Sequence, residues 1–305
     1  MRYFLRHITQ MRITTALLLL LCALCMWVVD YVRLPEEWPT ILAAQLLTTL
    51  CGILLCMALH RAKATAHLSL LPAVLYVAAV GVIPYLRIHW QPQLIAGVLL
   101  LFLYTTRDMT DRREPNDLVF LMSVLLCLIA IWIPDAVWCI AFLWIVMLLQ
   151  GSFTFRTILA SLLGIALVSV YYALTIYIGW AEMWDYAQLF DRNWCSHELP
   201  QSVTVAIFVM IAAFLMVASG AFYRSLYDLV STRMLLYHVV LLGLLSAPLI
   251  LMTPTRPDSQ VLLPLALSAT AGIYLLQRES ETRGVALLLY LIGASALYLW
   301  QVLSL

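Results

Sequence analysis

Residues 202–223 read SVTVAIFVMIAAFLMVASGAFY. The run holds no Asp, Glu, Lys or Arg, and Arg224 closes it. A helix of about 20 apolar residues spans the ~30 Å hydrocarbon core of a bilayer. In hydrocarbon only a helix or a closed barrel satisfies its own backbone. The stretch therefore reads as a transmembrane helix, and the fold turns on how many others accompany it.

The composition says that there are many. The chain has 305 residues, of which 64% are hydrophobic and 11% charged, with a mean hydropathy of +0.97. Soluble domains average roughly 45–50% apolar and about 25% charged. Too few charges remain to coat a water-facing globule, which excludes a soluble enzyme, a nucleic-acid binder and a disordered tail. Ten more apolar segments can be marked: 13–32, 38–60, 68–86, 92–106, 117–134, 136–150, 157–179, 234–252, 261–276 and 285–303. The expected architecture is all-α, a polytopic transmembrane bundle of about eleven spans forming one integral membrane domain over residues 1–305. Segments 92–106 and 136–150 are short. At 1.5 Å per residue each covers only about 22 Å, so they are candidates for re-entrant segments. Without them the count falls to nine and the orientation is unchanged.

Loop charge sets that orientation. With the N-terminus inside, the inner segments hold Arg2, Arg6, Arg12, Arg61, Lys63, Arg107, Arg112, Arg113, Arg156, Arg224, Arg233, Arg278 and Arg283. The outer ones keep four basic residues (Arg33, Arg87, Arg192 and Arg256) of the 17 in the chain. Nine of the 16 acids fall outside. Nine acidic against four basic residues make the outer face about −5, and seven against 13 make the inner face about +6, as the positive-inside rule expects. The C-terminus then lies outside. Trp27, Trp38, Trp90, Trp132, Trp138, Trp180, Trp194 and Trp300 fall near outer ends, where indole rings favour the headgroup layer. The small-residue runs Ala218–Ala221, Ser268–Gly272 and Gly293–Ala296 are expected to let helices approach closely.

Other signals are weaker. Arg2, Arg6 and Arg12 before an apolar run mimic a secretory signal, but without a small-x-small cleavage site an uncleaved first span is expected. The seven cysteines are an odd number, and all but Cys195 lie in apolar runs, which argues against a disulfide framework. Cys22 and Cys25 have C-x-x-C spacing but no βαβ context for a redox motif.

No Asp, Glu, Lys or Arg occupies the middle third of any marked segment, where ion-coupled transporters place ionisable groups. Chemistry is therefore expected at the two faces. The longest outer segment, 180–201, reads as an amphipathic interfacial helix, with Trp180, Met183, Trp184, Ala187, Phe190 and Trp194 on one face. It leads into Asp191-Arg192-Asn193-Trp194-Cys195-Ser196-His197-Glu198, the densest titratable run. A carboxylate beside a His and an Arg suits deprotonation of a sugar hydroxyl and capture of a phosphate. Asp191, Arg192 and His197 are the candidate catalytic residues, against the plainer reading of a solvated cap. Cys195 and His197 are two ligands at i, i+2 and do not make a metal site, and no cofactor is expected.

Three further residues are singled out. Asp30 is read with Arg33, Glu36 and Glu37 in a short first outer loop, the position where membrane glycosyltransferases using lipid-phosphate sugars keep a catalytic acid, or as part of a solvated loop. His238 lies five residues past Arg233, about 7 Å deep, and is expected to be interfacial or hydrogen-bonded, with a proton relay or ligand role as the alternative. Arg156 closes Gly151-Ser152-Phe153-Thr154-Phe155-Arg156 and is read as an interfacial anchor at a helix entry. The inner run Arg107–Asp117 mixes three Arg with four acids. It reads as a solvated turn or a docking loop, followed by a helix start at Asn116-Asp117.

The Gly-Ser-Phe-Thr-Phe-Arg turn is followed by Leu159-Ala160-Ser161-Leu162-Leu163-Gly164. With Leu263-Pro264-Leu265-Ala266 and the polar turn 277–284, it resembles a family of uncharacterised polytopic inner-membrane proteins of the Bacteroidota. The resemblance implies a multi-pass location in the inner (cytoplasmic) membrane and supplies no activity or site residues. Three roles stay open: a membrane subunit of a cell-envelope assembly, an enzyme acting on a lipid-linked glycan or lipid at the outer face, and a transporter or lipid flippase. The partners implied are membrane lipids, a lipid-linked glycan and envelope proteins, with no nucleic acid.

Overall fold

The computed structural model describes residues 12–65, 69–111, 115–133, 136–179, 201–225, 230–252, 257–276 and 280–304. Among them there is no strand, and each apolar segment has become a helix. In chain order these are α1 (Arg12–Arg33), α2 (Trp38–Arg61), α3 (Leu71–Gly81), α4 (Pro84–Ile88), α5 (Gln91–Asp111) and α6 (Asn116–Trp132). The remainder are α7 (Val137–Leu149), α8 (Phe155–Tyr177), α9 (Gln201–Ser225), α10 (Val230–Met252), α11 (Leu262–Leu276) and α12 (Ser280–Ser304). Short 3-10 turns at Pro35–Glu37 and Pro257–Val261 lead into α2 and α11. Among the described residues, four helical stretches are long and apolar enough to cross a membrane: Pro35–Arg61, Phe155–Tyr177, Ser202–Tyr223 and Asp258–Leu276. Six shorter apolar helices accompany them.

Apolar side chains face outward as well as inward. Leu17, Leu21, Leu24, Val28 and Val32 form an exposed stripe on α1; Leu42, Leu46, Leu50, Ile53 and Met57 form one on α2. Steps of three and four residues keep each stripe on one helical face. A water-soluble monomer rarely exposes patches of this extent, whereas a hydrocarbon surround favours them.

Two short helices form the centre. Every residue of α3 is buried, as is all of α11 except Tyr274 and Leu276. α3 packs on α1, α2, α11 and α12, and α11 packs on α9 and α10. Their mutual contact needs glycine: a Cβ at Gly272 would stand 2.8 Å from Pro72 Cγ. The run Ser268–Gly272 thus provides the close-contact face expected of it. A Cβ at Gly52 of α2 would meet Ala73 Cβ of α3 at 3.1 Å.

α8 lies at the edge, against α6. Ser123 and Ser161 hydroxyls meet at 2.8 Å between the two helices, and Trp144 of α7 donates from Nε1 to Ser161 Oγ at 2.9 Å. Thr154 caps the start of α8 in a reciprocal box with Thr157. Gly151, at φ +67°, makes the turn that precedes it.

Several expectations are corrected. The apolar segment 92–106 belongs to a longer helix: α5 has 21 residues, about 31 Å at 1.5 Å each, because helical backbone continues into the polar run as far as Asp111. α7, with 13 residues, is indeed short. Asp30 is a buried residue of the last turns of α1, not a loop carboxylate. Trp27 is fully buried, while Trp38, Trp132 and Trp300 are exposed. The segment 68–86 is broken rather than continuous. Pro84 has no N–H to extend α3 and drives the preceding residue out of the helical region. Ile83 is accordingly extended, at φ −101° and ψ 110°, and α4 begins anew at Pro84. Val82 and Ile83 are buried in protein, the setting in which irregular backbone is tolerated at membrane depth.

Candidate functional site

The break between α3 and α4 aims Arg87 into the bundle. Arg87 and Asp30 are both buried, and their Nε and Oδ2 lie 2.9 Å apart. This is an ion pair by distance, without the alignment of a hydrogen bond. The guanidinium uses its other edge to donate from Nη1 to the carbonyl oxygen of Gly81, at 3.1 Å. That carbonyl sits at the end of α3, where the interrupted ladder leaves acceptors free. Its flat face lies over the Tyr298 ring of α12, 4.8 Å from the centroid. Trp27, three residues before Asp30 and so on the same face of α1, donates from Nε1 to the Arg87 carbonyl at 2.9 Å.

One side chain therefore joins α1, α3, α4 and α12. Charges this deep are retained only when paired and hydrogen-bonded, and these contacts are what make Arg87 tolerable. Arg33, one turn beyond Asp30, donates to the Val302 carbonyl at 2.9 Å and ties the same ends of α1 and α12.

Further polar groups gather at this end of the bundle. Tyr85 of α4 donates to Asp258 Oδ1 at 3.0 Å and stacks on His89, with ring centroids 4.3 Å apart. Gln93 of α5 accepts from the Tyr76 hydroxyl at 2.7 Å, and its carbonyl accepts from Cys51 Sγ at 3.4 Å. The buried Gln93 Nε2 and Tyr298 hydroxyl have no hydrogen-bond partner among the described residues.

The opposite end carries a second, more open cluster. Arg61 reaches Asp108 at 2.8 Å and the Tyr104 hydroxyl at 2.7 Å, and lies over the Tyr104 ring at 4.3 Å. The Arg61 and Asp108 side chains are 36% and 34% exposed. Nearby in the fold, Thr232 Oγ1 donates to the Lys63 carbonyl at 3.3 Å.

Of the residues singled out from sequence, Asp191, Arg192 and His197 lie outside the described residues, as does 180–200 as a whole. Asp30 is in the buried cluster. His238 is fully buried on α10, with its Nε2 3.5 Å from the Gln150 side-chain nitrogen and its ring 6.5 Å from Phe102. If the Gln150 amide donates, the imidazole proton sits on Nδ1, which has no partner among the described residues. His238 is thus a buried core group within hydrogen-bond reach of Gln150. Arg156 is exposed in the first turn of α8. Cys25 is a free thiol on an exposed surface. Among the described residues no three His, Cys, Asp or Glu side chains are grouped to hold a metal.

Sequence reasoning missed Arg87, Tyr298 and Gln93. A usable signal existed for Arg87: loop alternation assigns it and Asp30 to the same side, and opposite charges at similar depth are natural partners.

Between α3, α9, α11 and α12 lies an apolar cavity of about 270 Å³. Its lining includes Ala79 and Val82 at the end of α3, Met210 and Ala213 of α9, Leu267 of α11 and Leu297 of α12.

Comparison with protein-family models, with curated proteins and with solved structures finds no match to this chain.

Proposed function

We propose that the chain is an eleven-span protein of a bacterial inner membrane, with its N-terminus in the cytoplasm, serving as a membrane subunit of a cell-envelope assembly. Contacts between distant residues support the topology. Asp30 with Arg87, Tyr85 with Asp258 and Arg33 with the Val302 carbonyl each join ends that loop charge assigns to the outer side. Arg61 with Asp108, Thr232 with the Lys63 carbonyl and Gln150 with His238 each join ends assigned to the inner side. A wrong span count would pair inner with outer ends.

The subunit role rests on how interior polar groups are used. Asp30 holds Arg87, Tyr76 holds Gln93 and Ser123 holds Ser161, in each case from one helix to another. Such pairing makes a rigid scaffold, while the outer faces of α1, α2 and α8 stay apolar. Purification in mild detergent after in-membrane crosslinking tests the role. A partner recovered at fixed stoichiometry is expected, and a lone monomer that is active by itself overturns it.

A second reading is an enzyme acting on a lipid-linked glycan or lipid at the outer face. It is favoured by the Tyr298 hydroxyl and the Gln93 Nε2 at the Asp30 end, which have no hydrogen-bond partner among the described residues. Complementation with Asp191→Ala, His197→Ala and Tyr298→Phe decides it: activity retained by all three variants removes the reading.

A further inference from the structure

The apolar cavity shares its walls with the Arg87 cluster. Its α3 wall, Ala79 and Val82, flanks Gly81, whose carbonyl accepts from Arg87. Its α12 wall ends at Leu297, next to Tyr298, whose ring lies on the guanidinium. Arg87 therefore fixes the spacing of two of the four helices that enclose the space. Two of the cavity's lining side chains, one from α9 and one from α12, reach the outer surface of the bundle. Its rim is formed by Val209 of α9 and Leu289 of α12, which are 45% and 63% exposed. Gly293 on the same rim is exposed, and a Cβ there would meet no atom within 4 Å.

An apolar cavity stays dry. One of about 150 Å³ admits benzene in preference to water. A larger cavity with the same lining, entered from the flank between exposed aliphatic side chains, calls for an apolar body supplied by the bilayer. Tyr290, the aromatic in its lining, spends its hydroxyl on the Leu75 carbonyl at 3.1 Å, so the ring presents an apolar surface.

We propose that this cavity is a lateral binding crevice for a single lipid acyl chain, entering between α9 and α12 and ending against α3 and α11. The inference rests on the membrane reading but not on the subunit role.

The test uses the full chain in liposomes of phosphatidylcholine carrying a photoactivatable diazirine on one acyl chain, with crosslinked peptides mapped by mass spectrometry. Crosslinks on Met210, Ala213 and the 289–297 stretch are expected to exceed, several-fold, those on the exposed α8 stripe at Leu163 and Leu167. Gly293→Phe and, separately, Ala213→Leu fill the crevice from opposite walls. Each is expected to bring its crosslinks down to the α8 level while α8 labelling is unchanged. Crevice labelling that is no higher than α8 labelling, or that survives both fillings, overturns the proposal. Absence of labelling on α8 as well would instead overturn the membrane reading.

Discussion

Arg87, on the short helix that follows the break, reaches back to Gly81, the last residue before it, and donates to its carbonyl at 3.1 Å. The residue that proline separates from α3 thus caps the helix it was separated from. With Asp30 on its opposite edge and Tyr298 beneath its face, Arg87 closes the break and binds both chain-terminal helices to the central one.

Removing one partner leaves a buried charge. Asp30→Asn and Arg87→Gln are each expected to lower stability by about 3–5 kcal/mol, the usual cost of orphaning half of a buried pair. The reversed pair Asp30→Arg with Arg87→Asp should recover part of that loss. Thermal unfolding in detergent, followed by retention of the monodisperse peak, reads all three. If the single variants melt with the wild type, the pair carries no structural weight.

The Arg61–Asp108 pair should behave differently, since about a third of each side chain is exposed. Water screens such pairs, and their coupling is typically ~0.2–1 kcal/mol. A double-mutant cycle with Arg61→Gln and Asp108→Asn is expected to return a coupling in that range, falling further at high salt. A coupling as large as that of the Asp30 cluster contradicts the exposure seen for this end.

Gly272 tests the central helix contact. Gly272→Ala drives a Cβ into Pro72, and overpacking of this kind costs about 1–3 kcal/mol. Gly293→Ala, on the open rim, is the matched control and should be neutral. Equal effects from the two changes would show that α3 and α11 do not meet as closely as 2.8 Å from the Gly272 Cβ position implies.

Topology has a direct readout. A reporter fused after Glu37, in the exposed turn between α1 and α2, should be periplasmic, and one fused after Lys63 should be cytoplasmic. Fusions after Asp258 and Asp108 should follow the same two patterns. Any pair of contacting ends that reports on opposite sides breaks the eleven-span proposal.

The sequence by itself determined where the helices are. In hydrocarbon each backbone must bond within its own segment, so apolar run length and turn residues locate an element without knowledge of its neighbours. The ends of α1, α2, α6 and α8 accordingly fall within about two residues of the apolar segments, whereas the break at Pro84, the polar extension of α5 and the starts of α10 and α12, four and five residues early at Val230 and Ser280, depart from them. Tertiary structure alone decided which helices are central. Lipid and protein interior are equally apolar, so burial leaves little trace in hydropathy: of the four helices long enough to span, Asp258–Leu276 is both the most buried and the least hydropathic. The same physics hid the candidate site. Asp30 and Arg87 stand 57 positions apart in sequence, and each alone reads as a loop charge at a membrane face. Only packing α1, α3 and α12 together, with α4 turned inward by proline, makes them a buried pair.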